Sequence, residues 1–216
     1  TGRPGPVVVD IPKDVQFATG TYVPPAATQP KGNYKPKMQG DLDRIRAAVE
    51  LMASARRPII YSGGGVINSG PEATNLLREL VEVTGFPITS TLMGLGAYPA
   101  SGTNWLGMLG MHGTYEANMA MHDCDVMLCV GARFDDRITG RVDAFSPGSK
   151  KIHIDIDPSS INKNIRVDVP IIGDVANVLG DILTVFKAEA KTPKIDPWWF
   201  EIGRWRARNS LAYKKN

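Results

Sequence analysis

A chain of 216 residues with 43% hydrophobic and 22% charged residues is long enough for one ordinary folded domain with extensions, and its balance excludes a disordered or fibrous polymer. The net charge of +3 is mild, and much of it falls in the tail (Arg204, Arg206, Arg208, Lys214, Lys215), which reads as a solvated helix face rather than a nucleic-acid surface. No apolar run approaches the ~20 residues of a membrane span and no signal peptide is present, although a chain that begins at Thr1 says little about targeting.

Residues 6 to 11, PVVVDI, read as an isolated strand with nothing before it to pair with. Residues 17 to 40 are rich in Pro, Gly, Thr and Lys and read as an extended linker. A helix starts at Asp41, with Leu42, Ile45, Val49, Leu51 and Met52 at helical spacing, and Pro58 stops it. Pro58 to Tyr61 is then a short buried strand, Ser62 to Gly65 a glycine loop, and Ser69 or Gly70 caps a second helix with Pro71 at its first position. Gly85 ends that helix.

A second strand-like run covers Pro87 to Leu92, followed by a loop at Met93 to Gly96. Leu106 to Gly113 reads as a Gly/Met-rich loop, followed by a short helix and a buried strand at Val126 to Val130. Lys151 to Ile156 and Val169 to Ile172 are further strands, and a helix runs from about Val175 to Lys187. Short apolar strands alternating with helices predict an α/β fold: a doubly wound, Rossmann-like, mostly parallel sheet of about six strands with helices on both faces. After residue 188 come a linker and an aromatic-basic helix with no obvious partner in the chain.

Ligands bind such sheets at the carboxyl ends of the strands, and the chemistry concentrates there. Gly131-Ala132-Arg133-Phe134-Asp135-Asp136-Arg137 packs two Arg and two Asp within five residues directly behind a buried strand. If the segment leaves the strand as a helical turn, Arg133 and Arg137 share a face and reach one anion; alternatively Asp135 and Asp136 neutralise them as a surface ion-pair cluster. Gly63 to Gly65 can present backbone N–H groups to phosphate, or simply make a tight turn. Asn68 stands where a dinucleotide fingerprint needs its third glycine, and no acid ends the second strand, so a standard NAD site is disfavoured. Asp155 at a strand end suits a ribose diol or a turn cap. His112 has no nucleophile beside it and reads as a loop histidine packing on a ligand. Cys124 and Cys129 read as buried thiols of a reducing compartment, and no metal-ligand set is recognisable.

The motifs carry further. GPVVVDIPKDVQ (5–16), RPIIYSGGGV (57–66), TSTLMGLGAYP (89–99), LGMLGMHGTYEAN (106–118), GARFDDRITG (131–140) and HIDIDPSSINKN (153–164) occur in order across nearly the whole chain. Together they resemble the large catalytic subunit of acetohydroxyacid synthase (acetolactate synthase), a thiamine-diphosphate enzyme. The resemblance implies that residues 1–16 end a thiamine-pyrimidine domain, 17–40 are a linker, 41–188 a central FAD-binding domain, and 189–216 lead towards a diphosphate-binding domain. It implies FAD contacts from Gly63, Gly64, Gly65, Thr91, Leu92, Met93, Leu109, Gly110, Met111 and His112. Gly131, Ala132, Arg133, Asp135 and Arg137 would line the flavin region, Asp155 and Ile156 the adenosine ribose, and Gly173, Asp174 and Val175 the remaining wall. Arg137 looks like the grip on the second 2-ketoacid's carboxylate, and Lys35 resembles the lysine at the channel mouth.

The whole enzyme so implied is a cytoplasmic homodimer or tetramer with a small regulatory subunit, joining pyruvate to pyruvate or 2-ketobutyrate in branched-chain amino-acid biosynthesis. Its thiamine diphosphate and Mg²⁺ belong to residues outside this chain, which implies no carboligase activity for the chain alone. Family members can also place a linker arginine on FAD, but no arginine lies between Arg3 and Arg44. Two other readings stay open: the central domain of a sibling such as glyoxylate carboligase or pyruvate oxidase, against which GARFDDR argues, and a free-standing module for FAD or another adenine dinucleotide.

Overall fold

The computed structural model describes residues 2–24 and 35–213. In chain order its elements are α1 (Lys13–Phe17), α2 (Leu42–Ser54), β1 (Pro58–Ser62), α3 (Gly64–Ser69), α4 (Pro71–Thr84), β2 (Ile88–Ser90), β3 (Trp105–Met108), α5 (Tyr115–Asp123) and β4 (Val126–Val130). Then follow α6 (Asp136–Thr139), β5 (Lys150–Asp155), β6 (Val169–Ile172), α7 (Val175–Glu189) and α8 (Asp196–Arg206).

The six strands make one sheet in the order β3-β2-β1-β4-β5-β6, with every neighbouring pair parallel. β1 and β4 are buried at every residue, because helices cover both faces and leave no polar side for alternation. Pro170 is tolerated because β6 is an edge strand, where a missing N–H breaks no ladder on the outer side. The order reverses between β1 and β4, the crevice position of dinucleotide-binding sheets. The expected α/β, Rossmann-like parallel architecture is therefore the observed one.

Helix boundaries follow from local chemistry. The Asp41 carboxylate accepts from the N–H groups of Asp43 and Arg44 and caps α2, whose Ile45, Ala48, Val49 and Met52 form a buried stripe. Gly85 closes α4 with φ of 69°, a left-handed cap that a residue with a Cβ rarely adopts. α2, α4 and α7 pack on one another as one layer, and α5 with α8 forms another. Gly180 lies inside α7 with nothing within 4 Å of where its Cβ would stand. Gly180→Ala is expected to raise stability by about 0.5–1 kcal/mol, read as a higher urea midpoint with an unchanged slope.

Four expectations are corrected. PVVVDI forms no strand: it is extended, pairs with nothing among the described residues, and leaves Val7, Val8 and Val9 exposed. The first part of the Leu106–Gly113 loop is instead the edge strand β3, a four-residue run whose glycine and bulged register against β2 hide any alternation. The glycine loop after β1 is largely the helix α3, and a further short helix, α1, precedes the linker and ends at its first residue, Phe17.

The fourth correction concerns α8, which does have a partner in this chain. Trp198, Ile202 and Trp205 are buried against the α5 layer, and the Trp198 indole N–H donates to the Pro58 carbonyl at 2.9 Å. Arg206 donates to the carbonyls of Thr103 and Trp105, which fastens the end of α8 to the start of β3.

Candidate functional site

Five strand ends open into one cavity of about 530 Å³, within the usual range for small-molecule sites. A second cavity of about 590 Å³, lined by Arg56, Arg57, Asp123, Lys194 and Trp198 among others, sits at the entrance of β1 and no strand carboxyl end reaches it. The strand-end cavity is therefore the candidate site, on the topology rule for open α/β sheets.

Its floor is two loops in backbone contact. A Cβ on Gly63 would fall 2.3 Å from the Gly131 carbonyl oxygen, and one on Gly65 would fall 2.6 Å from the Gly131 Cα. Gly131 has φ of 58° and turns the chain after β4 back over α3. Of the first N–H groups of α3, Gly65 donates to the Gly131 carbonyl and Val66 to that of Gly63, which leaves the Gly64 N–H for a guest. These glycines are thus needed twice over: they let two loops touch, and they keep the floor flat.

The walls are polar at one end and apolar at the other. Thr91 caps the 3₁₀ turn that carries Leu92 and Met93, and both of those side chains are exposed at the mouth. On the opposite wall Arg133 pairs with Asp135 at 2.8 Å, while Arg137 stands exposed and, among the described residues, has only a 3.9 Å ion-pair contact, to Asp136. The expected shared helical face of Arg133 and Arg137 is not formed, because α6 begins only at Asp136, behind an extended Asp135, and Arg133 lies outside any helix. The two guanidiniums line the same cavity from different backbone conformations.

At the polar end Asp155 closes β5. Its Oδ1 accepts the Asp157 N–H at 2.8 Å, so it makes the turn, and burial pushes its carboxyl above the ordinary value against that N–H. Asp174 accepts from Ala176 N–H as the cap of α7 and from the Ser69 hydroxyl at 2.9 Å, which ties the loop after β6 to the end of α3. Ser69 therefore braces the wall and does not cap α4; Gly70 does. Sequence reasoning missed Arg3 as well. It lines the cavity and donates to Asp157 and Ser160 from a segment far away in sequence, and no local pattern announces such a contact.

Placed against this geometry, Gly64, Gly65, Thr91, Leu92, Met93, Gly131, Ala132, Arg133, Asp135, Arg137, Asp155, Ile156, Asp174 and Val175 all line the cavity. Gly63 and Gly173 sit just behind its wall, Gly173 wedged against Val178 and the Gly40 and Met38 backbone. The Leu109–His112 loop lies outside the lining. Asn118 clasps the Gly110 N–H and carbonyl from α5, Gly110 lies against Arg137 and Ile138 of α6, Leu109 is buried, and Met111 and His112 are exposed. Lys35 is exposed on the approach to α2 and does not line the cavity either.

Both cysteines are buried, and burial pushes the Cys124 thiol up to about 11. Among the described residues no three His, Cys, Asp or Glu side chains gather as a metal site, and no helix is long and apolar enough to cross a membrane.

The cavity sets Ile67, Leu92 and Met93 on the same lining as the Arg133 and Arg137 guanidiniums and the Asp155 carboxylate. Comparison with known proteins points to a family. The chain is 44% identical over 99% of its length to the acetolactate synthase isozyme 3 large subunit of Escherichia coli (strain K12). It is 43% identical over its whole length to the acetolactate synthase large subunit of Buchnera aphidicola subsp. Schizaphis graminum. To the acetolactate synthase of Mycobacterium leprae it is 45% identical over 99% of its length. The chain spans only 38%, 38% and 34% of those three relatives, respectively. Residues 45–182 match the family described as thiamine pyrophosphate enzyme, central domain. That match takes in β1 through the first half of α7, the whole of the sheet, and the chain therefore belongs to the thiamine pyrophosphate enzyme family as a central domain.

Proposed function

We propose that this chain is the FAD-holding central part of an acetolactate synthase large subunit, and that its strand-end cavity takes the flavin nucleotide. The observation that carries the reading is the convergence of glycine loops, exposed Leu92 and Met93, the Arg133–Arg137 wall and Asp155 in one cavity at the sheet's reversal point. The donor set fits the group. Leu92, Met93 and Ile67 offer an apolar seat for a flat ring, the Gly64 N–H and the guanidiniums face phosphate, and the free Asp155 oxygen accepts from a ribose diol. Names of relatives at 43–45% identity support the choice of acetolactate synthase within the family.

In the whole enzyme, thiamine diphosphate with Mg²⁺ supplies the chemistry that decarboxylates pyruvate and joins it to a second 2-ketoacid. This chain's residues bind and orient. Arg137, exposed and nearly unpaired, presents a planar fork to the acceptor's carboxylate, which a lysine would hold less directionally. FAD here is a scaffold that shapes the cavity. In the same reading Lys35 stands at the entrance to the substrate channel. The full-length subunits act in the cytoplasm as a homodimer or tetramer with a small regulatory subunit.

Incubated with FAD and passed through gel filtration, the purified chain is expected to keep a flavin absorption band, and Asp155→Ala to weaken FAD binding about ten-fold, as expected for a lost charge-assisted hydrogen bond. A chain that sheds all flavin, under conditions where its fold is intact by circular dichroism, would remove the reading of a self-sufficient flavin site.

A further inference from the structure

His153 lies wholly buried in β5 and does not line the cavity. Across the sheet it faces Cys129 on β4, which in turn faces Tyr61 on β1. Phe134 folds back over this row, its ring 5.2 Å from the imidazole and 6.0 Å from the Tyr61 ring. The His153 Nε2 is 2.8 Å from the Ala132 carbonyl oxygen. A carbonyl can only accept, so Nε2 carries the proton. Nδ1 is buried and has no partner among the described residues. On a neutral ring that atom is a bare lone pair; on a charged ring it would be an N–H with nowhere to donate, the costlier defect in an aromatic surround.

We propose that His153 is a positioning residue for the strand-end cavity: as a neutral imidazole protonated on Nε2 it holds the Ala132 carbonyl and, by carrying no charge, leaves the second oxygen of Asp155 free for a ligand's vicinal hydroxyls. The second half rests on the reading of the cavity as an adenosine-ribose site. Ala132 begins the stretch that carries Arg133 and Asp135, so its carbonyl sets where that wall stands. Cys129 also donates to this carbonyl, at 3.2 Å, but a thiol is a weak donor and cannot fix it alone. Asp155 Oδ1 is committed to the Asp157 N–H, while Oδ2 lies 3.8 Å from His153 Nε2. An imidazolium would draw Oδ2 into an ion pair and away from the cavity.

The surrounding groups agree. Burial lowers the His153 pKa and keeps the Cys129 thiol and Tyr61 hydroxyl protonated and uncharged. Lys151, on the same strand face, is taken up by the Ser146 and Ser149 carbonyls. Asp135 is paired with Arg133 on the loop after β4, and Arg3, itself paired with Asp157, lies near Asp155. Among the described residues only Asp155 could serve an imidazolium as counter-ion.

The test combines a spectroscopic signature with a rescue. In ¹⁵N-labelled chain, the His153 ring nitrogens are expected to show the neutral Nε2–H tautomer from about pH 6 to 8. His153→Phe keeps ring volume but removes the donor, whereas His153→Gln places an amide N–H2 near the Nε2 position. Amide exchange across Arg133–Asp135 is expected to quicken about ten-fold in the Phe variant and to return towards the unsubstituted rate in the Gln variant. Affinity for ADP-ribose is expected to follow the same order. An Nδ1–H tautomer, a charged ring at neutral pH, or equal exchange in the two variants would overturn the proposal. Should the Phe variant not fold, the tautomer of the unsubstituted chain still decides. Should the folded chain bind neither FAD nor ADP-ribose, the flavin reading fails by itself, and tautomer and exchange still judge the imidazole.

Discussion

Trp198→Ala is expected to destabilise the chain by about 3–5 kcal/mol, the usual toll of truncating a buried aromatic side chain. Trp198 is only 2% exposed and stacks edge-on against Trp205 with ring centroids 5.5 Å apart. Its indole N–H donates to the Pro58 carbonyl at the start of β1, so truncation opens a cavity and leaves a buried acceptor unpaired. Both effects act at the joint between α8 and the sheet. For a domain of this size each kcal/mol moves the midpoint by roughly 2–4 °C, which predicts a fall of about 10 °C in thermal unfolding. Phe200, on the same helix but 72% exposed, is the matched control; its alanine variant should stay within about 0.5 kcal/mol of the parent. Equal midpoints for the two variants would mean that α8 is an appendage and not part of this core.

That contrast also shows what a sequence can and cannot reveal. The β1 strand was legible because Pro58 and the Gly63–Gly65 run punctuate an apolar stretch, and the α2 start because Asp41 precedes a helical stripe. Cavity residues were legible wherever they sit at the ends of such punctuated strands: Gly131, Arg133 and Asp155 follow directly from strand boundaries. The partner of α8 was not, since Trp198 and Trp205 have the same pattern whichever surface they bury against. β3 was hidden by its own glycine, and its loop by a clasp from Asn118 that no spacing rule anticipates. The placement of Arg3, the brace between Ser69 and Asp174, and the unpartnered Nδ1 of His153 all depend on contacts between segments far apart in sequence. Chemistry written along one element could be read; chemistry made by the meeting of two could not.

The floor of the cavity is such a meeting, and Gly65→Ala is expected to break it. The added methyl would stand 2.6 Å from the Gly131 Cα and 2.9 Å from its carbonyl oxygen. Both are backbone atoms, so no rotamer change relieves the clash; the loops after β1 and β4 must separate. Overpacking of this kind costs about 1–3 kcal/mol. Gly131→Ala meets the same contact from the other side, its methyl falling 2.7 Å from the Gly65 Cα, and adds the left-handed strain of φ at 58°, about 1–2 kcal/mol more. Because one contact underlies both, the double variant should lose much less than the sum of the singles: once the first methyl has parted the loops, the second finds room. Urea midpoints for the two single variants and the double variant measure that coupling directly. Gly148→Ala, with nothing within 4 Å, controls for backbone entropy. Additive losses would show that the two glycines are needed for unrelated reasons. Strong sub-additivity would establish that the loops after β1 and β4 meet at this one contact, so that each single substitution, by moving Gly64 and Arg133 apart, also lowers affinity for whatever the cavity holds.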